Sequence, residues 1–268
     1  MTSVIKANGD SQTFSESKIL ESIRRAGISA DLQTRVLEHV KNKLRENIPT
    51  SEIYHHITEF LENENPFAKT TYSLKHAIME LGPTGHPFED YAASILQTQG
   101  YTTTVRSTLL GKCISHEVDV IAQKENTKVM VEVKFHNTVG IKTDVQVALY
   151  TQARFEDLQQ SQSFSNAGLI TNTKPTSDVI AYAECSGMKL LSWDYPEGDS
   201  IRDIVNKFKL YPITVLTSLS QLQKQELLNQ GIIMTSDICK NTSLLESLHL
   251  SQDEKRSVIE ESQTICSL

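Results

Sequence analysis

Hydrophobic and polar positions change period repeatedly along this chain. Residues 4–14, VIKANGDSQTF, alternate around Asn8-Gly9 and predict a short hairpin, because that dipeptide supplies the positive φ angles of a tight turn. The pattern then moves to a helical period. Ser15 is placed to cap a helix through Ala26 that carries Ile19, Leu20 and Ile23 and stops at Gly27. Leu32, Val36, Val40 and Leu44 predict a second helix over 30–45; Ile53, Ile57 and Leu61 a third; and Tyr72, Leu74, Ala77 and Ile78 a fourth over 67–81. Gly82-Pro83-Thr84-Gly85 breaks the pattern and marks a boundary. A helix over 87–99 follows, burying Phe88, Ala92, Ile95 and Leu96.

The period then becomes two. HEVDVIA and VMVEVKF flank the polar hexapeptide QKENTK and predict a second hairpin. If Ala122 pairs with Val129, Asp119 faces Glu132 and Glu117 faces Lys134. Adjacent carboxylates on one sheet face repel, and a divalent cation with a nearby lysine would compensate them. A salt-bridged face, Glu117 with Lys134, is the plainer alternative. Further along, a helix over 142–160 shows Val145, Ala148 and Leu149 inward. AGLITN is a buried strand, 175–185 a helix, and 188–193 a last strand. Residues 213–268 contain only helical patterns, with Leu216, Leu219, Leu222 and Leu227 among the expected core.

The spacing Asp119, twelve residues, Glu132-Val133-Lys134 resembles the PD-(D/E)XK nucleases, and its flanks resemble their Mrr-like restriction-endonuclease branch. GPTGHPFEDYAASILQTQGY (82–101) is similar to that branch's opening helix, where Glu89 matches the family glutamate. The resemblance implies a mixed sheet flanked by helices, with Mg²⁺ or Mn²⁺ held by Asp119, Glu132 and the Val133 carbonyl. Glu89, Asp119, Glu132 and Lys134 are then the implied catalytic set, acting on DNA. Glu89 also suits a helix first turn on dipole grounds alone. His116 and His136 stand at strand ends and are assigned no catalytic part, and Thr171 to Lys174 read as a turn and cap. Residues 3–80 resemble the ATP-cone, through Val4, Lys6, Gly9, Phe14, Lys18 and Ile19, then TSEIYHHI and the Ala68–Ile78 pattern. Ala7 and Asn8 depart from a basic residue and an Asp common there. This implies ATP or dATP as a regulatory ligand at Val4, Lys6, Gly9 and Lys18, although both lysines also fit a solvated surface. LLESLHLSQDEKRSVIEES is similar to half of a helix-hairpin-helix, with His249 where that family prefers glycine.

The expected α/β architecture is therefore an ATP-cone over 1–81, a nuclease domain over 82–212 and a helical C-terminal domain over 213–268. Net charge is −7, and residues 100–210 carry twelve Lys/Arg against thirteen Asp/Glu, so no broad basic surface for DNA exists. This keeps open a nucleotide-sensing or DNA-binding protein with an inactive nuclease fold. No run of 18 apolar residues or leader segment is present, which predicts a cytoplasmic protein without membrane contact. The scattered Cys113, Cys185, Cys239 and Cys266 suggest neither zinc nor a disulfide framework. No P-loop occurs, so the cone is expected to bind nucleotide without hydrolysing it, and ATP-cones as a family imply a homo-oligomer.

Overall fold

A computed structural model describes residues 2–6, 9–138 and 140–267; Ala7 and Asn8 of the expected turn lie outside them. The chain divides into two compact units, Met1–Lys75 and His76–Leu268.

In the first unit β1 (Ser3–Ile5) and β2 (Ser11–Thr13) form the hairpin, followed by α1 (Glu16–Arg25), α2 (Ala30–Lys43), β3 (Ile48–Pro49), α3 (Thr50–Glu64) and α4 (Pro66–Met79). The division between the units falls inside α4. Gly9 takes a φ of 86°, and Lys6 accepts from its amide at 2.9 Å, which turns the chain back. Ser15 caps α1 by accepting from the Lys18 amide at 3.4 Å. β3 was not expected. It pairs parallel to β1, Val4 opposite Ile48, because the two apolar side chains seal the end of the core formed by Ile23, Val36, Val40, Ile57 and Leu61.

The second unit opens with α5 (His86–Thr98) and continues through β4 (Thr102–Leu110), β5 (Ser115–Lys124), β6 (Thr127–Lys134), β7 (Lys142–Thr143), α6 (Val145–Gln162), β8 (Asn166–Thr171), β9 (Lys174–Pro175), α7 (Ser177–Ser186) and β10 (Lys189–Ser192). Then come α8 (Ile201–Phe208), α9 (Gln221–Asn229), α10 (Thr235–Lys240) and α11 (Gln252–Cys266), with 3-10 turns at Ile213–Val215 and Thr242–Leu248. The five-stranded sheet has the order β10-β8-β6-β5-β4, with β6, β8 and β10 parallel and β5 antiparallel to both of its neighbours, β4 and β6. Ala122 lies opposite Val129, as the alternation requires. Ala148, Phe155 and Leu158 of α6 pack with Met130 and Leu169 on one side of this sheet, while Phe88, Tyr91, Ala92 and Ile95 bury the inner face of α5. Gly82 lies against Phe135, so that a Cβ there would stand 2.7 Å from the ring.

Four expectations are corrected. Leu149 is 47% exposed, because the inward stripe of α6 is Ala148, Thr151, Arg154, Phe155 and Leu158. Leu222 is 84% exposed, since it sits in the first turn of α9 and Leu227 and Leu228 form that helix's buried side. Helix α8 escaped the reading, although Ser200 and Asp203 form a capping box that announces it. Cys239 and Cys266 are joined by a disulfide, their Cα atoms 6.9 Å apart, because α10 and α11 fold together over 27 residues of chain. Sequence separation alone hides such a pairing. Cys113 and Cys185 are free and exposed.

Candidate active site

Alternation along β5 and β6 carries Asp119 and Glu132 to adjoining positions where the ladder of paired residues ends at Val120 and Val131. There the Asp119 carboxylate replaces a strand partner: its Oδ2 accepts from the Val133 amide at 2.7 Å. That bond fixes one carboxylate oxygen and with it the orientation of the group. Lys134 stands two residues beyond Glu132 on the same strand face, half-buried, and makes no ion pair among the described residues. Its charge acts on Glu132 and on His136. Glu89 enters from the first turn of α5 and is 9% exposed.

Two arginines that were not anticipated complete the cluster. Arg154 projects from α6 and pairs with Glu132, both side chains being nearly buried. Its Nε is buried without a hydrogen-bond partner. Arg106 on β4, at a φ of 50°, donates to Glu89 at 3.2 Å and to Asp90 at 2.8 Å. Arg154 was legible, because it stands on the 148–151–155–158 stripe, where an arginine must find a buried partner. Arg106 gave less signal, since β4 alternates exposed and half-buried residues throughout.

Burial raises the pKa of all three acids. Glu132 is pushed to about 7, by desolvation first and then by the charges of Asp119 and Glu89, against Arg154 and Lys134. Burial also lifts Asp119, with Glu117 adding to it and the Val133 amide opposing. In Glu89 burial again leads, with the Arg106 hydrogen bond opposing it and Asp119 reinforcing it. Five carboxylates (Glu89, Asp90, Glu117, Asp119, Glu132) thus face three permanent cations (Arg106, Lys134, Arg154), a deficit a divalent ion would fill. The donors are hard oxygens, which suits Mg²⁺ or Mn²⁺. Among the described residues these acids do not draw three ligand atoms within 4.8 Å of one another, since the arginines hold Glu132 and Glu89. Two carboxylates and a carbonyl still fit a cation that retains several waters.

His116 bonds Asp157 at 2.8 Å, which with the Cys113 and Ile114 amides holds that carboxyl down at about 2. Thr171, Asn172 and Thr173 are buried rather than forming a surface turn. Asn172 accepts from the His136 amide and donates to its carbonyl, both at 2.8 Å. His136 meets Thr143 at 3.1 Å, and burial lowers its pKa. In the first unit Val4 is 3% exposed and packs in the core. Lys6 is exposed beside the Gly9 turn, and Lys18 donates to Gln12 at 3.0 Å.

An uncharacterized protein of Archaeoglobus fulgidus is 33% identical over 174 residues, covering 65% of this chain and 98% of that one. The chain belongs to the AF1548-like family. The crystal structure of a protein of unknown function, AF1548, matches the AF1548-like chain with a TM-score of 0.60 at 31% identity, over 69% of this chain and 100% of that one. Residues 211–266 match the AF1548-like C-terminal model, residues 2–100 the ATP cone domain and residues 82–195 the restriction endonuclease model. This AF1548-like protein is therefore an ATP-cone fused to an Mrr-like restriction-endonuclease fold. No helix of the described residues is long and apolar enough to cross a membrane.

Proposed function

We propose that this protein is a metal-dependent DNA endonuclease whose ATP-cone binds ATP or dATP as a regulatory ligand. The observation that carries the reading is the buried acid set Glu89, Asp119 and Glu132 beside Lys134, short of positive charge on a restriction-endonuclease sheet. Asp119, Glu132 and the Val133 carbonyl would hold Mg²⁺ or Mn²⁺, which when bound polarises a phosphoryl oxygen and acidifies water. The chain's own residues supply the rest. The Val133 amide holds one Asp119 oxygen and so keeps the carboxylate oriented. Lys134 orients the attacking water and neutralises charge on the phosphate as the P–O bond breaks. Glu89, held by Arg106, stands ready to bind a second ion or receive the water's proton. Residues 1–81, 82–212 and 213–268 serve as sensor, nuclease and helical accessory part. A homo-oligomer would assemble the DNA groove that the acidic surface of one copy lacks.

One observation favours the second reading, a nuclease fold that binds DNA without cutting it: the Arg154–Glu132 pair occupies a carboxylate the chemistry needs. A single experiment separates the two. Purified protein is incubated with plasmid and with single-stranded DNA, with Mg²⁺ or Mn²⁺, with and without ATP and dATP. Cleavage that stops on chelation is expected. DNA binding with no cleavage under any of these conditions would establish the second reading instead.

A further inference from the structure

Helices α2 and α3 hold a cluster that neither the nucleotide site nor the nuclease site uses. His39 stands on α2 between the buried Val36 and Val40, while His56 and Glu59 are three residues apart on one face of α3. One ligand atom from each of these three residues lies within 4.8 Å of the other two. The imidazoles meet edge-on with centroids 6.4 Å apart, and Nδ1 of His56 is 3.8 Å from the Glu59 carboxylate. Nε2 of His39 and Nδ1 of His56 are both buried with no hydrogen-bond partner. A buried polar atom left unpaired costs about 1–3 kcal/mol, so two in one place call for a shared partner.

The surroundings prepare one of these rings as a ligand. The other nitrogen of His56, Nε2, faces Glu52 at 3.8 Å. Glu52 is itself held by Arg45 through bonds of 3.3 and 2.6 Å. At that distance there is no hydrogen bond, but once Nδ1 binds a metal Glu52 is the acceptor within reach of the Nε2 proton. Phe60 closes one side, its ring 5.0 Å from that of His39, while Glu59 is exposed and opens the cluster to water. Two imidazoles and one carboxylate suit a borderline transition metal and not Mg²⁺.

We propose that His39, His56 and Glu59 form a Zn²⁺-class site that ties α2 to α3 within the ATP-cone. Water fills the fourth position on the exposed side. Bond lengths of about 2.0–2.2 Å require all three ligand atoms to draw in on the ion, and the exposed Glu59 has the most room to turn. The site shares no residue with the hard-oxygen set at Asp119 or with Lys6 and Lys18. It requires no nucleotide.

The test uses the full-length chain carrying Asp119→Asn, stripped with chelator and titrated with Zn²⁺ alone by calorimetry. One Zn²⁺ per chain and a raised melting temperature are expected. His39→Gln and His56→Gln should each weaken uptake at least ~100-fold, and Glu52→Gln by about 10- to 100-fold, with unchanged melting before metal is added. No uptake, or equal uptake by the histidine variants, overturns the site. If those variants fail to fold, diethyl pyrocarbonate labelling of the Asp119→Asn protein decides. Zn²⁺ must protect His39 and His56, and unaltered labelling sinks the proposal.

Discussion

Glu132 is the residue on which the nuclease reading turns, and its protonation gives a measurable signature. Its folded pKa, about 7, lies above the ordinary value of 4.5. The protonated form is therefore the one folding favours. That contribution is fully present below about pH 4.5 and is lost as pH rises through 7, at most on the order of 3 kcal/mol. In chelator, urea unfolding of the wild type should show stability falling between pH 5 and 8 by more than it does in Glu132→Gln; parallel profiles would refute the assignment. Asp119→Asn and Lys134→Ala should each abolish metal-dependent cleavage with the fold intact, read by plasmid nicking and circular dichroism. Undiminished cleavage by either variant removes that residue from the mechanism. Asp119, Glu132 and Lys134 were legible because a period of two fixes which side chains share a sheet face. Their compensation was not: alternation along a strand carries no sign of a cation from another element, and Arg154 arrives from a helix 22 residues away in sequence from Glu132.

At the level of elements, α6 sets where Arg154 points. Leu158, fully buried one turn further along, anchors that helix on the sheet. Leu158→Ala should cost about 2–5 kcal/mol in denaturant unfolding, through lost burial and a cavity; a change under about 1 kcal/mol would show that α6 is held elsewhere. The link between α10 and α11 makes a different prediction. Thiol counting on the folded protein without reductant should find two reactive cysteines, Cys113 and Cys185, and four would mean that the Cys239–Cys266 bond does not form. Elements with strong periods, such as α2, α3, β5 and β6, were readable to within a few residues. The two-residue strands were not. β3, β7 and β9 exist because tertiary neighbours offer hydrogen bonds, and so short a segment carries no periodicity.

For the whole molecule, the sensor reading requires nucleotide to prefer one global state over another. We expect ATP or dATP to change both the mass distribution by light scattering and the cleavage rate, with Lys18→Ala weakening the two together. Indifference of both would refute regulation. The end of α4 shows where such a signal would enter the nuclease unit. Thr214 donates to the Ala77 carbonyl at 2.6 Å, Lys224 pairs with Glu80 at 3.2 Å, and Asn172 reaches both Met79 and His136, two residues beyond Lys134. Gly82 follows directly and rests on the ring of Phe135, whose centroid lies 5.5 Å from that of Phe88 with the rings tilted at 44°. The incoming chain thus meets the residue next to the lysine through a glycine. Because glycine has no Cβ, the ring keeps its place, and a methyl group added at Gly82 would make the ring or the backbone shift.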